Sequence, residues 1–536
     1  MLVSALRRGA RRISSWSPEE RDAVLYAASA LFAGATTLVS SIPLYQQWGQ
    51  LAVGPYVAGA VASAWLAHRR HRRMTADTPA TGDELVAGEP SDGMLPARAP
   101  DSAGSNGGSG HWTGARIGIF VLVLCGATLM PLSLEVLWQA GSGGTSHAQP
   151  EVLVVEQAGK RVLHGAGLYQ QVGSKKAAVV PPGQPAADAF FPYLPGMAVF
   201  GLPSGTDAPA RLTDARVVFS LITILVVIAA LAMCRGPSGP RVLGLQVMTV
   251  LPTAALPLAT GGDDLPVVAL MLLGLVLLQR RRPLGAGLAL GAAASLKFTA
   301  WPLAAICLLV VRDERGRRAP ARLALGLGAV VLPAVLPVVL RNPLAFFDNV
   351  VRFPLGLTGI HSPAGSALPG HLIVSAFPSL HKPYTLAVAV VAGAVVLRAL
   401  VRHTPRTPAD AARFVGWVAL AAIMLAPATR VGYLLYPLDL FAWAWMLRSE
   451  DDAAIAPGYS PLETAYISRE NGVSTPGVAV GAREGSAAAL AGTLGAVTGD
   501  DPPAVAGEAV LPVVAVAVPV PVRANVVGIT VTARSQ

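Results

Sequence analysis

Gly261-Gly-Asp-Asp-Leu-Pro-Val-Val-Ala-Leu-Met-Leu-Leu-Gly-Leu-Val-Leu-Leu-Gln-Arg-Arg-Arg282 carries two carboxylates at one end of an apolar run and three guanidiniums at the other. Such a run is at home in hydrocarbon, and arginines clustered at one end mark the cytoplasmic face. The same alternation recurs along the chain. About ten apolar stretches are separated by loops that are by turns arginine-rich or supplied with Asp, Glu, His and Gly-Pro turns. Composition agrees, with 53% hydrophobic and 13% charged residues over 536 positions. The fold class expected is an all-α, polytopic transmembrane helical bundle of about 10–12 membrane helices, in a cell (plasma) membrane.

The net charge of +10 raises the question of nucleic acid. The arginines sit beside apolar spans, where they orient helices and meet anionic headgroups, so membrane lipid is the expected partner and nucleic acid is not. Cys125, Cys234 and Cys307 lie inside apolar segments without CxxC spacing, which implies neither a disulfide framework nor a zinc site. No P-loop, no GxGxxG after a strand and no HExxH is present.

Residues 1–73 read as a pair of helices, Ala23 to about Tyr45 and Leu51 to His68, appended ahead of the main body. Residues 74–114, rich in Gly, Ser, Asp and Pro, read as a disordered cytoplasmic linker. A core over 115–447 follows, and 448–536 reads as a disordered cytoplasmic tail rich in Ala, Val and Pro. Within the core, Arg116 to Trp138 opens into a large extracytoplasmic loop, 139–212; Asp214 to Cys234, Val242 to Thr260 and Leu265 to Gln279 then cross in turn. Between the arginine triplet and the next basic loop lie only about 29 residues. They are read as two short helices, Leu284–Leu296 and Phe298–Val311, with Lys297 near the tip of a hairpin. A second outer loop covers 341–383 with three Lys or Arg, against five arginines in 312–322 and four in 398–413. Phe414 to Pro427 and Leu434 to Leu447 complete the core.

The chemistry-bearing residues gather on the outer side: Glu151, Glu156, Asp188, Asp263, Asp264, Arg341 and His361. Residues 151–163 carry a helical apolar stripe ended by Gly165 and Gly167, with Pro150 ahead of Glu151. Glu151 is then either a first-turn acid satisfying the helix dipole or a general base at the mouth of a cavity. Glu156 lies off that face and is expected to be solvated. Asp263-Asp264 either cap a helix, bind sugar hydroxyls or orient Lys297. A lysine within apolar sequence costs about 2.5–3.5 kcal/mol on insertion scales, so a partner is expected. Phe190–Pro195 suits an interfacial anchor or stacking on a sugar, and Asp439, inside the last span, is either a functional acid or a bond between helices.

Several motifs, in order, resemble glycosyltransferase family 87, the polyprenol-phosphate-mannose-dependent membrane mannosyltransferases of actinobacteria with GT-C architecture. They are Glu151 with Val155, Ala158 and the following Leu, Gly and Tyr; Phe191-Pro-Tyr-Leu-Pro-Gly-Met-Ala-Val-Phe-Gly201; Gly262-Asp-Asp-Leu-Pro266; Gly287-Leu-Ala-Leu-Gly291 followed by Leu296-Lys-Phe-Thr-Ala-Trp-Pro302; and Pro427-Ala-Thr-Arg-Val-Gly-Tyr433. The resemblance implies a GT-C-like bundle with its active site on the extracytoplasmic side. The expected activity is a metal-independent, inverting transfer of a hexose, by resemblance mannose, from a polyprenyl-phosphate sugar to a glycolipid or glycan acceptor, without a cofactor. Glu151, where the family usually has Asp, is the implied catalytic base. Lys297, Arg341, Arg430 and His361 are the implied donor-phosphate ligands, and Asp263, Asp264, Tyr193 and Tyr433 the implied sugar or acceptor contacts. A transporter or flippase of a lipid-linked substrate would instead predict inverted repeats with paired interrupted helices. One interrupted hairpin is found. A non-catalytic relative is the third reading.

Overall fold

Every regular element in the computed structural model is helical, over the residues described: 16–76, 113–142, 147–170, 185–234, 238–315, 318–358, 360 and 364–455. Eight of these helices are long and apolar enough to cross a membrane, from Pro18–Val39 and Pro43–Arg73 to Pro378–Arg402 and Pro408–Leu425. Three more apolar helices, Leu265–Gln279, Pro283–Leu296 and Phe298–Val311, are shorter. The all-α polytopic class therefore holds. Fewer full-length spans than expected arise because the central ones are short or interrupted. The linker 77–112 and the tail 456–536 lie outside the described residues.

The first helix begins at Pro18, five residues before the apolar run, because Ser17 and Glu20 form a reciprocal capping box. The early turn also carries Asp22, a charge that hydropathy discounts but the fold buries. Asp22 accepts from Arg116 at 2.8 Å and from the Gln246 amide at 3.1 Å. Trp48 donates its indole N–H to the Ala127 carbonyl and Tyr56 its hydroxyl to that of Val250. Glu19, in the same turn, pairs with Arg70. Reading the first two helices as an appendage is thereby corrected: a buried ion pair and a shared apolar cluster tie them to the core.

Further differences follow local chemistry. The second helix runs unbroken over Pro43–Ala76. The span expected over 242–260 is two helices, Ser238–Thr249 and Pro252–Thr260, split ahead of Pro252, which supplies no N–H to the preceding turn. The last helix continues to Ile455, beyond the expected end of the core.

The short central helices determine where the charged residues meet. Leu265–Gln279 and Pro283–Leu296 pack together and share the Arg280–Arg282 turn. Each runs about 21–23 Å, short of the roughly 30 Å of hydrocarbon. Asp263-Asp264 precede the first helix by a residue and Lys297 follows the second. Chain length alone therefore brings carboxylates and ammonium to one level. Glycines let the next helix close in: a Cβ at Gly287 would meet the Leu323 carbonyl at 2.2 Å, and one at Gly326 the Leu284 carbonyl at 2.4 Å.

Candidate functional site

The amphipathic helix expected over 151–163 is present as Pro150–Leu163 and ends at Gly165 in the left-handed region, φ 69°. It lies directly on the short helical segment Pro195–Gly205. A Cβ at Gly159 would stand 2.0 Å from the Gly201 carbonyl carbon, and one at Gly201 would stand 2.0 Å from the Val155 oxygen. The backbones touch because neither glycine has a side chain. The Phe191–Gly196 motif continues this contact toward the central helices. Leu194 N–H donates to the Leu296 carbonyl at 3.0 Å, beside Lys297. A side chain at Gly196 would strike Ser295. Phe191 N–H donates to Asn349 Oδ1 at 2.8 Å, and Phe190 stacks on Phe353 at 4.1 Å.

On the other side, the Gly261-Gly262 turn folds back so that both N–H groups donate to the Pro257 carbonyl. Gly261 sits at φ 105° against Val152 of the amphipathic helix, where a Cβ would be 2.0 Å from Val152 Cγ2. Only glycine meets both conditions. The turn thus delivers Asp263 and Asp264 next to the residue after Glu151.

Five charges converge there. Lys297 Nζ, in an extended residue between helices, donates to Asp263 Oδ1 at 2.7 Å and Asp264 Oδ1 at 2.5 Å. The Tyr193 ring covers it, with its centroid 4.9 Å away. Tyr436 donates its hydroxyl to Asp264 at 2.7 Å and accepts from Thr299 at 2.7 Å. Glu151 Oε1 accepts from Arg430 Nη1. Charge from Glu151 acts on both Asp263 and Tyr193, and charges of Asp264, Lys297, Arg430 and Asp263 all act on Tyr433. Asp188 borders the same group through Glu151 and Arg430.

These groups are largely withdrawn from water. The Asp263 side chain is 4% exposed, Lys297 11% and Glu151 12%. Burial pushes the Asp263 carboxyl up to about 6; Lys297 opposes this, and the charges of Asp264 and Glu151 add to it. Burial likewise raises Asp188, and it lifts the Tyr433 hydroxyl to about 12. Burial lowers Arg430, but Glu151, Tyr433 and Tyr193 acting together, with the hydrogen bond to Glu151, outweigh it and move Arg430 up. Asp263 Oδ2 and Glu151 Oε2 are buried with no hydrogen-bond partner among the described residues. Each carboxylate therefore keeps one acceptor oxygen in a low-dielectric site.

The expected residues divide accordingly. Glu151, Lys297, Arg430, Asp263, Asp264, Tyr193 and Tyr433 come together. Arg341 does not: it ends the helix Arg318–Arg341 exposed, with no hydrogen bond to the cluster. His361 lies outside the described residues. Glu156, expected in solvent, instead accepts from Ala215 N–H at 3.1 Å at the start of the next helix. Asp264 occupies a cap position but makes no side-chain cap bond; both carboxylates accept from Lys297 instead. Asp439 is buried away from these bonds, its Oδ1 unpartnered among the described residues. Tyr436 and Thr299 were missed. Tyr436 falls one turn after Tyr433, a spacing that puts both on one helical side and was a usable signal.

Fold and site together define a polytopic helical membrane protein with a recessed cluster of carboxylates and cations. Residues 191–427 match the model of Glycosyltransferase family 87, which indicates a glycosyltransferase. The match covers less than half of the chain. It includes Tyr193, Asp263, Asp264 and Lys297, and leaves Glu151, Arg430 and Tyr433 outside. No curated protein and no solved structure matches.

Proposed function

We propose that the chain is an integral membrane glycosyltransferase that moves a hexose, by resemblance mannose, from a polyprenyl-phosphate sugar to a glycolipid or glycan acceptor on the extracytoplasmic side of the plasma membrane. The observation that carries this reading is the convergence of Glu151–Arg430 with Asp263–Lys297–Asp264 in one recessed cluster. In the proposed step the acceptor oxygen attacks the anomeric carbon, its proton passes to Glu151 Oε2, and the bond from that carbon to the phosphate oxygen breaks. The electron pair leaves with polyprenyl phosphate. A phosphate leaving group needs cations but no dedicated general acid, and one displacement inverts the anomeric centre.

Lys297 and Arg430 are the cations suited to that phosphate. An ammonium has three donors, of which Asp263 and Asp264 occupy two, and a guanidinium has five. Each keeps a donor while its carboxylate partner fixes its position. Arg341 has no place in this scheme. Tyr193 and Tyr433 wall the cluster and suit contact with a sugar ring.

Membranes containing the chain, given polyprenyl-phosphate-[14C]mannose, are expected to yield a labelled glycolipid or glycan, and Glu151→Gln to lower the rate by about 10²–10⁴-fold. Turnover by Glu151→Gln at the unsubstituted rate would remove Glu151 as the base.

A further inference from the structure

A second polar site lies where the N-terminal helices meet the core. Gln47, Leu137, Trp138, Gly141 and His147 line an open depression of about 450 Å³, with Trp138 partly exposed on its wall. His147 is held through both its ring and its backbone. His147 Nδ1 lies 3.0 Å from Glu135 Oε2, a carboxylate with 0% exposure, and the His147 backbone N–H donates to Gln139 Oε1 at 3.2 Å. The His147 carbonyl accepts from Arg216 Nη1. Trp138 leans over the imidazole, ring centroids 5.6 Å apart. On the same lining, Gln47 Oε1 is buried without a hydrogen-bond partner among the described residues. A buried carboxylate in a membrane helix is costly and signals function by default. Interfacial anchoring would account for Trp138 alone, but not for an imidazole bound to a buried carboxylate on the same lining as an unsatisfied amide.

Charge selects the ligand. The guanidinium of Arg216 is fully buried and bound to both oxygens of Asp214, so it offers nothing to an anion, and Glu135 adds negative charge. An aromatic face, an amide acceptor and an oriented imidazole suit a neutral polyol. Glu151 lies four residues on from His147, a path of no more than about 14 Å. Gln149 holds that path through Thr260 and Tyr45.

We propose that this depression is a subsite for a neutral sugar unit of the acceptor, displaced from the bond-forming centre by the length of a short oligosaccharide. The assignment rests on the transferase reading and gives the N-terminal helices a part in acceptor binding. Saturation-transfer NMR on the detergent-purified full chain, with methyl α-D-mannopyranoside and methyl α-D-glucopyranoside as probes, tests it without requiring turnover. Sugar-proton signals are expected, lost in Trp138→Ala, reduced in Gln47→Ala and largely kept in Trp138→Phe. An equal concentration of inorganic phosphate should not displace them. In transfer assays Trp138→Ala is expected to raise acceptor KM by roughly tenfold, with kcat and donor KM little changed. Signals unaffected by all three substitutions, or displaced by phosphate, would overturn the subsite. If the NMR pattern holds while no sugar is transferred, the subsite stands and the transferase reading falls.

Discussion

Glu151 and Arg430 illustrate how position decides what a charged pair is for. Both are largely buried, and removing one partner of a buried pair leaves the other uncompensated. Arg430→Met should therefore lower thermal stability, and Glu151→Gln added to it should restore part of the loss, a non-additivity measurable by a double-mutant cycle in detergent. Additive losses would mean that the pair is not coupled. Asp263 makes a separate prediction through pH. Its carboxyl titrates near about 6 in the fold against 3.8 unperturbed, so between these values the folded chain binds more protons than the unfolded one. Stability should fall as pH rises from about 4 to 6 and then level off, and Asp263→Asn should flatten that slope. A slope unchanged by this substitution would assign the titration elsewhere.

At the scale of elements, backbone contact between glycines positions the proposed base. Gly159→Val would drive a side chain into the Gly201 backbone and separate the amphipathic helix from Pro195–Gly205. It is expected to abolish transfer and to lower the melting temperature. Gly118→Ala, with nothing within 4 Å of the added carbon, should stay within about 0.5 kcal/mol of the unsubstituted chain. Much of this site was legible from local pattern. Apolar periodicity located the helix over 151–163. Equal chain lengths on either side of Arg280–Arg282 were enough to bring Asp263 and Asp264 level with Lys297. Other features depend on long-range contact, which periodicity does not encode. Glu156 differs from a solvated acid only because Ala215 starts a helix beside it. Arg341 and Arg430 both follow apolar runs, and only tertiary structure separates an exposed helix end from a partner of Glu151.

Across the whole molecule, the N-terminal helices belong to the bundle because Asp22, Arg116 and Gln246 form one buried polar node. Asp22→Ala withdraws the carboxylate that both partners share, and a loss of about 3–5 kcal/mol is expected from chemical denaturation in detergent. A change of under about 0.5 kcal/mol would return those helices to the status of an appendage. Hydropathy discounted Asp22 because it counts a charge as exposed, whereas here Arg116 makes its burial tolerable. The all-α polytopic class was legible from arginine spacing and apolar length alone, and the interruptions that shorten the central helices were legible only in part. Glu151 and Lys297 are proposed to serve one reaction centre. Cryo-electron microscopy of the full chain with a bound polyprenyl-phosphate hexose tests it most directly. Phosphate density against Lys297 and Arg430, with the anomeric carbon facing Glu151, is the predicted result; a donor phosphate bound away from both cations would contradict it.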